Sequence, residues 1–135
     1  PLEFDIELAK QDNKKNPVYY VQYSHARICS VFRKADIDPK TIDIDLIDTL
    51  GPEEEEVIKI LAHFPFLLYK CAELKAGHFL TEYLRETATA FHRYYDSVRI
   101  LGSEKEKARL LLLSAVREII GNGLSLLGVS SPEVM

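Results

Sequence analysis

Apolar residues recur every three or four positions along residues 17–35, which predicts a long helix with one buried face. This stripe comprises Val18, Val21, His25, Ile28, Cys29 and Phe32. Asn16 offers a side-chain oxygen as an N-cap, and Pro17 suits the first helical position, where its missing N–H costs nothing. We therefore expect the helix to begin after Asn16 and to stop near Ala35.

The pattern changes over residues 36–50, where Asp alternates with Ile and Leu. Such alternation can indicate a strand. A lone strand would have no partner in this chain for its backbone hydrogen bonds, so we favour an irregular loop packed by its isoleucines. Gly51 and Pro52 then predict a helix start. The glutamates of residues 53–56 stand at the positive end of the helix dipole, and we expect them to have no other role. Pro65 should kink or divide this helix.

The clearest helical periodicity lies in residues 80–98, where charged side chains occupy the opposite face. Its apolar face comprises Leu80, Leu84, Thr87, Ala88, Phe91, Tyr95 and Val98. Ser103 and Glu106 have the S-x-x-E spacing of a capping box, which predicts the start of another helix. Gly121 and Gly123 lower helix propensity towards its end.

These patterns predict an all-α fold, a bundle of about five helices that forms one domain over residues 1–135. The first of the five is short, with Leu2, Ile6 and Ala9 on one face. A chain of 135 residues can bury a core without a disulfide or a metal. No apolar run approaches the roughly 20 residues that span a bilayer, so we expect no membrane partner.

The distribution of charge limits where an anion could bind, and the cysteine content indicates the cellular compartment. The net charge is −4, but residues 36–62 hold nine acids and two bases, so the rest of the chain is mildly basic at +3. A site for an anion therefore belongs outside this acidic middle. Cys29 and Cys71 stand far apart without a CxxC partner, which favours reduced thiols and a cytoplasmic protein without a secretion signal.

Catalytic signatures are missing from the sequence. It contains no phosphate-binding glycine loop, no nucleophile elbow and no HExxH motif. The four histidines, His25, His63, His78 and His92, are candidates for metal or acid–base chemistry, and the best pair is His78 with Glu82. Catalytic zinc takes three protein ligands, so one pair does not make a site. His25 lies on the apolar stripe, so we interpret it as a packed, hydrogen-bonded core residue. We expect no catalytic residue, no metal and no cofactor in this domain.

Tyrosine and arginine are concentrated on two predicted helices. Tyr20, Tyr23, Arg27 and Lys34 share one face. The helix with the clearest periodicity, which we expect to end at Gly102, adds Arg93, Tyr94 and Arg99. Flat rings flanked by guanidinium groups are typical of surfaces that bind single-stranded RNA, because unpaired bases stack on the rings. The same tyrosines could instead complete a core with their hydroxyls at its rim. Spacing alone leaves both interpretations open.

Residues 16–35, NPVYYVQYSHARICSVFRKA, resemble the opening helix of the anticodon-binding domain of arginyl-tRNA synthetases, which are class Ia synthetases. FDIELA at residues 4–9 and RYYDSVRIL at residues 93–101 fall in the same order as in that family. The family typically ends in PERM after an LLGI or LLGV segment, and this chain ends in PEVM. Val134 replaces the usual arginine, which puts any contact of that arginine in doubt.

The resemblance implies a set of residues that hold the anticodon loop of an arginine tRNA. They are Asn16, Tyr20, Tyr23, Arg27, Arg33, Tyr94, Tyr95 and Met135. Tyr95 lies on the apolar stripe, so Tyr94 is the better exposed candidate of the two. In such an enzyme a separate catalytic domain of the same polypeptide joins arginine to tRNA with ATP and Mg²⁺. The resemblance therefore implies a non-catalytic binding domain that positions the tRNA.

A protein-interaction module is the alternative from another class. In that interpretation the acidic residues 36–62 contact a basic protein partner and no RNA is bound. Binding of an arginine tRNA, compared with a control tRNA altered in the anticodon, separates the two.

Overall fold

The computed structural model describes residues 16–135, and in that part the chain folds into five α-helices without a strand. The helices are α1 (Pro17–Ala35), α2 (Glu55–Ala62), α3 (Phe64–Leu74), α4 (His78–Ser97) and α5 (Glu106–Leu126). Three short 3-10 turns, Pro39–Thr41, Ile44–Thr49 and Pro52–Glu54, connect α1 to α2. The prediction of an all-α fold is confirmed. The short helix expected around Leu2, Ile6 and Ala9 lies outside the described residues.

The centre of the fold is the packing of α1, α4 and α5 against one another. Fully buried side chains from all three fill this core, namely Ile28, Val31, Leu84, Phe91, Leu110, Leu113 and Ile120. Helix α2 packs on both α4 and α5, while α3 packs on α2 and α4. The apolar stripes read from the sequence are therefore the faces that meet.

Helix α1 begins and ends where the sequence predicts. The Asn16 side-chain oxygen accepts the backbone N–H of Val18 at 3.0 Å, which satisfies one of the free donors of the first turn. The helix ends at Ala35, because Asp36 adopts a left-handed conformation (φ 52°) and donates its N–H to the carbonyl of Phe32. These two caps set the length of the helix that carries four of the eight predicted site residues.

The aspartate-rich segment after α1 is irregular, as predicted. Asp38 and Asp43 each cap a 3-10 turn by accepting a backbone N–H two residues later, at 2.9 and 3.0 Å. Ile42 is buried and the turn Ile44–Thr49 contacts α5, although Ile44 itself is 71% exposed. Asp38 and Asp43 thus stabilise the turns, and only some of the isoleucines in this segment pack against the bundle.

Pro65 divides two helices, since α2 ends at Ala62 and α3 begins at Phe64. The predicted capping box before α5 is wrong. The Ser103 hydroxyl donates to the carbonyl of Ile100 at 2.8 Å, while the Glu106 carboxylate accepts the N–H of Gly102 at 2.9 Å. Both side chains close the preceding turn, and α5 begins only at Glu106.

Helix α5 continues through both of its glycines. A Cβ at Gly123 would lie 2.5 Å from Cδ2 of Leu84, a side chain of α4 that is 1% exposed. Gly123 therefore permits the close approach of α4 and α5, and packing there outweighs its low helix propensity. None of the helices between residues 16 and 135 combines the length and apolar character needed to cross a membrane.

Candidate nucleic-acid interface

Side chains of α1 and α4 meet in a group that we call the tyrosine cluster, consisting of Tyr20, Tyr23, Arg27, His92 and Tyr95. All five are half-buried, so part of each side chain reaches the surface. The spacing of three and four residues along α1 sets its three members on one face, which packs against α4. The cluster lies outside the acidic middle of the chain.

His92 lies between the two tyrosines of α1. Its ring centroid is 5.3 Å from that of Tyr20 and 5.8 Å from that of Tyr23, with the Tyr23 ring stacked at an interplanar angle of 24°. His92 also contacts Phe91 at 5.0 Å, which joins the cluster to the core. Aromatic rings at these separations attract each other, so His92 holds the rings of Tyr20 and Tyr23 against the core.

Arg27 connects the α1 rings to Tyr95. Its guanidinium carbon lies 4.6 Å from the centroid of the Tyr95 ring, within the range of a cation–π contact. Its Nη1 lies 3.4 Å from Nδ1 of His92. Arginine presents five N–H donors in one plane, and these contacts use few of them. The tyrosine cluster therefore combines aromatic surface with a cation that retains donors.

Tyr94 is not exposed, so the preference for Tyr94 over Tyr95 is wrong. Tyr94 is 4% exposed and its hydroxyl donates to the Glu54 carboxylate at 2.9 Å. Burial, together with the hydrogen bond to Glu54, raises the pKa of Tyr94 well above its usual range. Tyr95 is the half-buried neighbour that reaches the surface. The apolar stripe misled the prediction because the partner that draws Tyr94 inward comes from a distant part of the chain.

That partner, Glu54, is fully buried. Its carboxylate accepts the N–H of Gly51 at 2.9 Å and the hydroxyl of Tyr94, and it lies 3.4 Å from Nε of Arg109. We call Gly51, Glu54, Tyr94 and Arg109 the Glu54 network. The prediction that the glutamates of residues 53–56 serve only the helix dipole is therefore wrong for Glu54. A buried charge of this kind is tolerated because it is paired and hydrogen-bonded.

The other face of α1 holds the end of the chain. Nε2 of Gln22 donates to the carbonyl of Ser130 at 2.9 Å, Nδ1 of His25 to that of Pro132 at 3.0 Å, and Nη1 of Arg33 to that of Glu133 at 3.1 Å. His25 is 8% exposed, which confirms it as a packed, hydrogen-bonded residue. The bonds all run to main-chain carbonyls. They therefore form although valine occupies position 134, and that side chain is 72% exposed.

The predicted site residues thus separate into groups. Tyr20, Tyr23, Arg27 and Tyr95 come together, while Arg33 lies on the other face of α1, with the C-terminal segment that ends in the exposed Met135. Asn16 is 3% exposed and caps α1. Tyr94 belongs to the Glu54 network.

Two adjoining cavities lie beside the face of α1 that contacts the C-terminal segment. One, of about 630 Å³, is lined by residues that include His25, Lys40 and Arg117, and the other, of about 560 Å³, includes Arg33 and Arg117. The guanidinium of Arg117 lies 4.5 Å from the Phe32 ring centroid. Between residues 16 and 135, no three His, Cys, Asp or Glu side chains are grouped as a metal ion would require.

Sequence reasoning missed Ser24 and His92. Ser24 is fully buried and its Oγ lies 3.0 Å from Nε2 of His92. The sequence predicts no role for His92 beyond that of a candidate for metal or acid–base chemistry. A contact between residues 68 positions apart leaves no signal in the periodicity of either helix.

Comparison with known proteins places the chain in a family. The model of the "DALR anticodon binding domain" matches residues 21–135. An arginine–tRNA ligase of Delftia acidovorans is 50% identical over 135 residues, covering 98% of this chain and 24% of that protein. One from Carboxydothermus hydrogenoformans is 45% identical over 140 residues, covering 99% of this chain and 25% of that protein. The chain thus spans about a quarter of the length of these relatives.

Solved structures agree. The arginyl-tRNA synthetase of Plasmodium falciparum superposes with a TM-score of 0.82 at 28% identity, covering 99% of this chain and 24% of that one. The arginyl-tRNA synthetase of Thermus thermophilus superposes with a TM-score of 0.78 at 29% identity, covering 94% of this chain and 22% of that one. The fold and the family match agree over nearly all of the described residues, and the chain belongs to the DALR anticodon binding domain family.

Proposed function

We propose that this chain binds the anticodon loop of an arginine tRNA and thereby positions that tRNA for aminoacylation by a catalytic domain of the same polypeptide. The tyrosine cluster is the observation that carries the proposal. Its rings are half-buried and one of them lies under a guanidinium group. Unpaired bases stack on such rings, and guanidinium donors suit phosphates or base edges.

The family and the relatives support this assignment. The matching model is described as an anticodon binding domain, and the relatives are arginine–tRNA ligases. In such a ligase the catalytic domain would use ATP and Mg²⁺, and this chain would contribute binding alone. The free thiols Cys29 and Cys71 accord with a reducing, cytoplasmic setting.

Anticodon binding by this chain alone should be weak. Stacking is worth about 1–3 kcal/mol per base, and association costs about 4–15 kcal/mol. Two or three stacked bases therefore leave little net affinity, and the cationic contacts add a salt dependence. We expect binding weaker than nanomolar at physiological salt that tightens as salt is lowered.

Filter binding tests the proposal. The chain is titrated with an arginine tRNA transcript and with a matched transcript whose anticodon-loop bases are replaced, at two salt concentrations. We expect the intact transcript to bind about 10-fold or more tightly than the altered one, since each lost base contact costs about 1–3 kcal/mol. Equal affinity for the two transcripts would refute anticodon recognition. Absence of binding to either, together with capture of a basic protein by residues 36–62, would favour the interaction-module alternative.

A further inference from the structure

His92 contacts three members of the tyrosine cluster, namely Tyr20, Tyr23 and Arg27. Its connection to the fourth, Tyr95, runs through Arg27. Its ring packs on Tyr20 and Tyr23, and its Nδ1 lies 3.4 Å from Nη1 of Arg27. Arg27 in turn lies over the ring of Tyr95. Its position therefore suits control over the arrangement of the cluster.

The hydrogen bonds around His92 favour the tautomer with the proton on Nε2. The Ser24 hydroxyl donates its hydrogen to the carbonyl of Tyr20 at 3.0 Å, so its oxygen accepts from Nε2 of His92 at 3.0 Å. With the hydrogen on Nε2, the Nδ1 of a neutral imidazole is an acceptor. Nδ1 of His92 therefore accepts a hydrogen bond from Nη1 of Arg27, because an arginine guanidinium stays protonated and can only donate. Ser24 is fully buried, so water does not compete for this anchor.

We infer that His92 is a positioning residue for nucleic-acid binding, which holds the Arg27 guanidinium over the Tyr95 ring so that its remaining N–H donors face the bound RNA. The inference rests on the proposed function. A long arginine side chain loses rotamer freedom when it is immobilised on binding. Because His92, anchored by Ser24, restricts the Arg27 side chain in the unbound protein, the loss of rotamer entropy occurs on folding and no longer opposes RNA binding.

The test is a set of affinities for an arginine tRNA anticodon stem–loop. His92→Phe keeps an aromatic ring between the tyrosines but removes both nitrogens, and we expect affinity to fall about three- to tenfold, the cost of ordering one long side chain. His92→Gln retains an amide that can donate to Ser24 and accept from Arg27, so affinity should return to within about twofold of the unmodified chain. A role in packing alone would give the opposite order, because phenylalanine fills the space better than glutamine.

A double-mutant cycle shows whether His92 acts through Arg27. In an Arg27→Ala background, His92→Phe should weaken binding by less than about twofold, since the side chain that it positions is gone. His78→Phe is the matched control, because His78 lies on the same helix outside the cluster, and its ring is tilted against that of Phe79 at a centroid distance of 4.2 Å. We expect this control to bind like the unmodified chain. Should His92→Phe unfold the chain, Ser24→Ala replaces it in the cycle, because it removes the oxygen that anchors His92 and keeps a helix former.

The outcomes separate the two proposals. If the unmodified chain binds the stem–loop and Arg27→Ala weakens binding while His92→Phe does not, His92 has no positioning role and the proposed function stands. The positioning role is also overturned if His92→Phe has the same effect with and without Arg27. If the unmodified chain binds the stem–loop no better than one with replaced loop bases, both proposals fail.

Discussion

Tyr94 and Tyr95 are neighbours on α4, yet they belong to two regions with opposite properties. The hydroxyl of Tyr94 is buried against Glu54, and the Glu54 network joins the start of α2 to α4 and α5. The ring of Tyr95 is half-buried in the tyrosine cluster, with Arg27 above it. A step of about 100° around the helix thus separates a side chain that stabilises the bundle from one available to a ligand. The first region should govern stability and the second affinity.

The largest effect is expected at the centre of the buried region. Glu54→Gln removes the charge that pairs with Arg109 and leaves that guanidinium without its carboxylate. Breaking one partner of a buried pair costs about 3–5 kcal/mol, so the free energy of unfolding in urea should fall by that amount. Glu53→Gln, at the exposed neighbouring position, is the control and should leave it nearly unchanged. Equal effects at the two positions would show that the Glu54 network does not stabilise the fold.

Tyr94→Phe should destabilise the chain without affecting RNA binding. It removes one hydrogen bond to a charged group, which is worth about 1.5–3 kcal/mol. The ring remains in the core, and the tyrosine cluster keeps all its members. Urea unfolding and stem–loop affinity are measured on the same preparation. If the variant binds the stem–loop more weakly although it is fully folded under the conditions of the assay, Tyr94 belongs to the binding surface.

Tyr95→Ala and Tyr23→Ala should give the reverse result. Each removes one stacking surface, so affinity for the anticodon stem–loop should fall by about 1–3 kcal/mol, or roughly 5- to 150-fold. Tyr23→Phe keeps the ring and should weaken binding less than Tyr23→Ala. Thermal denaturation checks that the variants fold, since both tyrosines are half-buried. If Tyr23→Ala and Tyr23→Phe both unfold the chain, Tyr23 is a core residue and its assignment to the ligand surface is wrong.

Alkaline pH should produce the smallest effect, again in the buried region. Burial raises the pKa of Tyr83 and of Tyr94 above that of an unfolded tyrosine, near 10. Above this pH the unfolded chain binds fewer protons than the folded chain, so stability that is complete at neutral pH declines as pH rises. Between pH 8 and pH 10.5 each buried tyrosine should account for about 1 kcal/mol or less. Tyr94→Phe should make the decline shallower, and an unchanged slope would exclude Tyr94 as its source.

The comparison also shows what one sequence can predict. The limits of α1 followed from Asn16, Pro17 and the apolar stripe, because caps and periodicity are local properties. The tyrosine face of α1 followed from spacing for the same reason. The exposure of Tyr94 and Tyr95 did not follow from spacing, because Glu54, which accepts the Tyr94 hydroxyl, is 40 positions away in sequence.

The same limit applies to the end of the chain and to His92. The C-terminal segment is held through its carbonyls, about 100 residues from their donors, and the side-chain identities of residues 130–133 carry no sign of this. The bond between Ser24 and His92 is equally remote in sequence. Long-range pairing of polar groups thus decides which residues of a correctly predicted helix are free to bind a ligand.

Ring labelling tests the central distinction most directly. With ¹³C in all seven tyrosine rings, an arginine tRNA anticodon stem–loop is added and the ring resonances are followed by NMR. The account predicts shifts for Tyr20, Tyr23 and Tyr95 that saturate together, while Tyr83 and Tyr94 keep their positions. Shifts confined to rings outside the tyrosine cluster, such as the exposed Tyr69, would contradict it.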